Sequence, residues 1–160
     1  MVPYGGFWWR VLAYFIDYFI VNIGIGILGM FTGFGIGSIM SGGANADMAA
    51  GLSMLLGAGL GLVCSWLYFA VLESSPWQAT VGKLAVGVIV TDMHGNRISF
   101  LRATGRYFGK ILSGLLLAIG FIMVAFTERK QGLHDVLAST LVYRTRDPHE
   151  VRQIENSVFA

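Results

Sequence analysis

Apolar residues run almost unbroken from Phe7 to Phe31. They fill every face rather than one stripe, so the segment predicts a helix apolar all round, long enough to cross a hydrocarbon core of roughly 30 Å. The helix is expected to continue towards Met40 before it breaks. The stretch Ser41-Gly42-Gly43-Ala44-Asn45-Ala46-Asp47 reads as a loop by its Gly, Asn and Ser content. A second span follows from Gly51 to Leu72, 22 residues without a charge. It closes on Trp66-Leu67-Tyr68-Phe69, an aromatic group suited to a membrane interface.

From Glu73 to Phe100 the pattern turns polar. Ala85 to Asp92 predicts a strand, Met93-His94-Gly95-Asn96 a turn, and Arg97 to Phe100 the return strand of a hairpin. Ser99 is placed to cap a helix in which Arg102, Arg106 and Lys110 recur every four residues. Such a helix lies at an interface or enters the membrane with its basic edge covered. The third apolar segment, Ile111 to Thr127, has 17 uncharged residues with Gly120 inside it and is borderline for a full span. Ser139 to Arg144 reads as another strand, and the tail from Thr145 is polar.

Asp17 interrupts the first span. A carboxylate near mid-bilayer costs on the order of 3 kcal/mol on insertion scales. It is tolerated where it meets a partner, an ion or water. Arg10 lies seven residues earlier, almost two helical turns, so the two share one face. Asp17 is therefore expected within salt-bridge or one-water reach of a basic side chain, either Arg10 or one of Arg102 and Arg106.

Composition agrees with a membrane protein. The chain of 160 residues is 55% apolar and 12% charged, against about 25% charged in soluble domains; its mean hydropathy is +0.66. The expected class is an all-α membrane protein. It has two full transmembrane helices, a third segment that is broken and re-entrant or else spanning, and a small cytoplasmic β-hairpin. Residues 1–144 form one membrane domain with an insert at about 73–100, and 145–160 form a polar tail. Of 11 Lys and Arg residues, only Arg10 precedes Lys83. The loop from Thr32 to Ala50 is then outside, and the basic regions and both termini are cytoplasmic. A third segment bent near Gly120 satisfies this rule, and it lets strand 139–144 pair with the hairpin.

Several chemistries find little support. Cys64 is a lone cysteine in an apolar stretch, and His94, His134 and His149 have no metal-ligand spacing. Thr80-Val81-Gly82-Lys83 lacks the rest of a phosphate loop, with Trp77 where its first glycine belongs and Leu84 where Ser or Thr does. No nucleophile and base pair is visible. The expectation is a non-enzyme without cofactor or metal, and the net charge of +2 gives no sign of nucleic acid. Gly29, Gly33 and Gly37, and again Gly57 and Gly61, have the spacing of close helix packing, within the chain or between copies.

Three blocks resemble the RDD family of bacterial membrane proteins. They are Tyr4-Gly5-Gly6-Phe7-Trp8-Trp9-Arg10 through Ile16-Asp17, then Gln78-Ala79-Thr80-Val81-Gly82-Lys83, then Gln131-Gly132-Leu133-His134-Asp135. The family takes its name from an arginine and two aspartates, matched here by Arg10, Asp17 and Asp135. The resemblance implies an inner-membrane protein, and cation or proton exchange has been suggested for some members. The expected function is a component of ion- or proton-coupled transport. In it Asp17 is the working group, and Arg10, Asp135, Arg102, Arg106 and Lys110 complete a polar cluster. The partners are the bilayer and a second copy or another membrane protein. The alternative is a non-transporting scaffold in which Arg10 and Asp17 form a structural ion lock.

Overall fold

The computed structural model describes residues 4–40, 46–115 and 119–158, and the side chains of 31–40, 46–49, 115, 119–122, 155–156 and 158 are not described. Two long helices lead: α1, Phe7–Met40, and α2, Ala46–Glu73. Each carries a stretch of 24 residues, Phe7–Met30 and Ala50–Glu73, apolar enough to cross a membrane. At 1.5 Å per residue each stretch is about 36 Å long, more than the hydrocarbon core requires. The loop expected from Ser41 begins in residues outside those described, and Ala46 and Asp47 already belong to α2.

The helices pack antiparallel. Gly61 faces Ile25, where an added Cβ would sit 3.6 Å from the Ile25 side chain. Nearer the chain's start, Tyr68 on α2 meets Asp17 on α1. Gly29 and Gly57 have no neighbour within 4 Å of a built Cβ. Outward residues such as Phe15, Ile23, Leu55 and Leu62 stay exposed, as lipid-facing side chains do.

The polar chain gathers at the end of the hairpin where α1 starts and α2 stops. Helix α3, Val81–Val86, ends on Gly87 in the left-handed region, φ 74°. Strand β1 is therefore shorter than the pattern predicts, Ile89–Asp92, because Ala85 and Val86 finish a helix. The return strand at Arg97–Phe100 does not form. The Asp92 carboxylate instead accepts the backbone N–H of His94 and of Asn96 at 2.8 Å. Ile98 is buried in the core, and the Ser99 hydroxyl accepts the Arg102 N–H at 3.3 Å, capping α4, Phe100–Leu115. The partner of β1 is the distant β2, Thr140–Tyr143, antiparallel, with Ile89 opposite Tyr143.

This pairing decides the third apolar segment. Its flanks meet in one sheet, so the chain leaves and returns at the same end. The described residues of the segment lie in two helices, α4 and α5, Ile119–Phe126. Gly120, the expected bend, lies in α5, and 116–118 are outside the described residues. Among the described residues, two helices pass for membrane spans.

The sheet has an apolar cluster on each face. Val88, Val90, Ile98, Ala103 and Val142 pack on Ala70 of α2. Ala79, Ile89, Leu141 and Tyr143 pack with Val151. Val151 belongs to α7, Pro148–Val158, so the polar tail is helical and anchored by one fully buried valine. Short helix α6, Leu133–Leu137, sits between α5 and β2 and completes the set.

Candidate functional site

A buried ion network lies at this end of the hairpin, with Arg106 at its centre. Arg106 sits on α4, whose basic edge is turned inward, and is 1% exposed. Its Nε is 3.2 Å from Glu73 Oε2, and one terminal nitrogen is 2.9 Å from Asp135 Oδ1. The other donates to the Thr140 hydroxyl at 2.9 Å. The planar guanidinium thus bridges two carboxylates on different elements, a geometry that a lysine cannot supply.

Glu73 is fully buried at the end of α2 and collects three cations. Lys83 of α3 reaches its Oε1 at 2.5 Å and Lys110 of α4 at 3.0 Å, with Arg106 on the other oxygen. The Lys110 ammonium also lies 4.4 Å from the Phe69 ring centre, a cation–π contact. Asp135 pairs with Arg10 and Arg106 and accepts the Gly132 N–H at 3.1 Å, which starts α6. Arg10 is fully engaged: it pairs with Asp135 and donates to the carbonyls of Gly5 at 2.8 Å and Lys130 at 2.6 Å. Arg10 therefore ties α1 to the loop before α6.

Asp17 belongs to a separate arrangement. Its carboxylate is fully buried and accepts three hydrogen bonds from uncharged donors. These are the Tyr68 hydroxyl at 2.7 Å, the Thr80 hydroxyl at 2.5 Å and the Gly82 N–H at 2.7 Å. Among the described residues no basic side chain forms a direct ion pair with Asp17; Arg10 and Arg106 line one cavity with it, whereas Arg102 lies against Asp92. Arg10 lies about 10 Å away along the axis and is drawn to Asp135 instead. Arg102 is also corrected: it is half exposed in the first turn of α4, 3.9 Å from Asp92, and outside the cluster.

Charge states follow from these surroundings. Burial alone would raise the Asp135 carboxyl, but Arg10 and Arg106 outweigh it and hold it well below the usual range. Burial lowers His134 to about 3 against the pull of Asp135, so its imidazole is neutral at pH 7. Burial also lowers Lys83 to about 7, opposed by Glu73.

The two arrangements meet at a cavity of about 320 Å³. Arg10, Asp17, Lys83, Arg106 and Lys110 contribute to its wall, with apolar Val11, Phe69 and Val124 between them. The structure therefore brings Arg10, Asp17, Arg106 and Lys110 to one space, with Asp135 behind them, and leaves Arg102 out. Sequence reasoning missed Glu73 and Lys83 as members. One signal was present: Glu73 ends a span and is the sole carboxylate between Asp47 and Asp92. Among the described residues no group of acidic, His or Cys side chains is arranged to hold a metal ion.

A membrane-spanning helix pair capped by a buried ion network is the class this architecture defines. The RDD family model matches residues 4–139, and the chain belongs to the RDD family. It is 40% identical over 148 residues to the uncharacterized protein YxaI of Bacillus subtilis (strain 168), covering 86% of this chain and 95% of the relative. It is 26% identical over 145 residues to the uncharacterized membrane protein YteJ of the same strain, covering 87% of this chain and 80% of that one. No solved structure matches the chain.

Proposed function

We propose that the protein is an ion-handling component of a bacterial inner membrane, with its polar end and both termini in the cytoplasm. The charged cavity carries this reading. Four cations and Asp17 surround a space of about 320 Å³ at the mouth of a two-helix hairpin. Ion-coupled transport needs a group whose charge changes in the working pH range. Lys83, lowered by burial to about 7, is such a group. In this reading Asp17, Asp135, Arg10 and Arg106 hold the frame, and Lys83 changes charge beside Glu73 and Lys110. Two spans enclose no complete path, so a second copy or another membrane protein completes it. The test is gradient-driven flux in proteoliposomes. Wild-type protein should carry a flux that varies between pH 6 and 8, and Lys83→Gln should lose that variation. No flux with any proton or cation gradient would overturn the transport reading.

The scaffold reading is favoured by a specific observation. Asp17 is saturated by three neutral donors, and Arg106 bridges Glu73 and Asp135. Both arrangements join helices without needing any transported species. Absent flux would select it, since destabilisation by Asp17→Asn is expected under both readings.

A further inference from the structure

The buried network is short of negative charge. Four cations, Arg10, Lys83, Arg106 and Lys110, are matched by the two carboxylates Glu73 and Asp135. Counting Asp17, which shares the wall but pairs with none of them, still leaves one excess positive charge whenever Lys83 is protonated, the state a bound anion favours. An uncompensated charge out of water is costly, so such a group attracts an anion. The donors for one are present. Lys83 and Lys110 each have three N–H groups, and each gives one to Glu73 Oε1. Both side chains line the cavity and retain a little exposed surface, 10% and 14%.

The remaining wall says what kind of anion. Val11 and Tyr14 of α1 line the cavity and are 40% and 56% exposed. They lie within the Phe7–Met30 span, so this part of the cavity wall belongs to the stretch that a bilayer covers. Phe69 and Val124 line the interior with them. A free inorganic anion has no use for apolar walls in that stretch. A lipid has a phosphate for the ammonium groups and a glycerol and chain for the apolar rim. The volume is at the lower end of the roughly 300–1,000 Å³ typical of small-molecule sites, enough for a headgroup with its chains left in the bilayer. Basic pockets between membrane helices at the cytoplasmic side are known to take anionic headgroups.

We propose that this cavity is a binding site for one anionic phospholipid, whose phosphate is held by Lys83 and Lys110 and whose apolar part leaves between Val11 and Tyr14. The site goes beyond ion handling and stands whether or not the protein carries a flux. The full chain in neutral detergent is titrated with phosphatidylglycerol, phosphatidylcholine or inorganic phosphate. Retained lipid is read by native mass spectrometry and stability by thermal melting. One phosphatidylglycerol per chain should be retained at least tenfold more tightly than phosphatidylcholine, with a rise in melting temperature. Lys110→Gln should abolish that preference. Val11→Trp should do the same while leaving every ion pair in place, which covers the case that Lys110→Gln folds poorly. Arg102→Gln, which removes a cation outside the cavity, should retain lipid as wild type does. The proposal is overturned if both lipids bind alike, if inorganic phosphate gives the full stabilisation, if Val11→Trp retains phosphatidylglycerol unchanged, or if Arg102→Gln loses it.

Discussion

Gly82 lies directly against Asp17. A Cβ built at Gly82 would be 2.8 Å from the Asp17 carboxyl carbon and 2.3 Å from the Ala13 carbonyl oxygen. That closeness lets the Gly82 N–H reach the carboxylate at 2.7 Å. Gly82→Ala must push α3 off α1, since the nearest obstacle is backbone. Overpacking of this kind costs about 1–3 kcal/mol or more, so a clear drop in melting temperature is expected. Gly57→Ala is the control, because its Cβ would meet nothing within 4 Å. Equal melting of Gly82→Ala and wild type would show that α3 does not dock this tightly.

Asp17→Asn tests the same contact from the other side. An asparagine keeps one acceptor oxygen and turns an N–H₂ group towards donors. Hydrogen bonds to a charged acceptor are each worth about 1.5–3 kcal/mol, so the loss should be at least one such bond. Thermal melting of Asp17→Asn beside Tyr68→Phe, which removes one donor and leaves two, should rank Asn as the worse. The reverse order would show that the Asp17 carboxylate is not what holds these three donors together.

Arg106 should be the least replaceable cation. Arg106→Leu leaves Glu73 and Asp135 each short of a partner, and breaking buried pairs costs about 3–5 kcal/mol. Arg106→Lys should recover little, because one ammonium cannot bridge carboxylates on α2 and α6. Arg102→Ala, by contrast, removes a surface contact of 3.9 Å and should change stability by less than about 0.5 kcal/mol. Denaturation in detergent compares the three. Similar losses from Arg102→Ala and Arg106→Leu would refute the central position of Arg106.

Stability should fall with acid in two stages. His134 has a folded value of about 3, below its model-peptide value of 6.5. The unfolded chain takes its proton first, so stability rises with pH between about 3 and 6.5 and is lost as pH falls through that window. Asp135, also held low, adds a second loss below about pH 4. The groups facing His134 are Asp135, Arg10, Arg106 and Lys110, and three of these are cations that oppose its protonation. His134→Gln should flatten the melting curve between pH 6.5 and 4 and leave the lower stage intact. An unchanged slope there would remove His134 from the account.

What the sequence made legible follows from how each signal is written. The spans are continuous apolar runs, so length alone located α1 and α2. The cap at Ser99 and the four-residue spacing of Arg102, Arg106 and Lys110 on α4 are local patterns, and both were readable, but which of these face inward was not. The β1–β2 pairing joins residues about fifty positions apart; strand 139–144 was expected to join the hairpin and does, while the nearer Arg97–Phe100 was wrongly expected as its return strand. Among site residues, Arg10 and Asp135 were identified but not as a pair, because the contact depends on where α6 docks. Asp17 was expected beside a cation because a lone intramembrane carboxylate needs compensation. Neutral hydroxyl and backbone donors supply it equally well, and nothing in residue spacing announces them. Glu73 and Lys83 were passed over because they sit in polar chain, where charges ordinarily face water.

Both flanks of the third apolar segment meet in one sheet, so everything from Glu73 to the C-terminal helix should lie on a single side of the membrane. Ten of the eleven basic residues are in that stretch, so the positive-inside rule predicts the cytoplasmic side. The check is cysteine labelling with Cys64 replaced by serine. Gln153→Cys is exposed on α7 and reports the polar end, and Asn45→Cys reports the loop between the spans. A membrane-impermeant maleimide should label Asn45→Cys in spheroplasts and Gln153→Cys only after permeabilisation. Labelling of Gln153→Cys from outside while His94→Cys stays protected would place the two flanks of α4 and α5 on opposite sides. That result is incompatible with the antiparallel register of Ile89 and Tyr143, and it would restore a full third crossing.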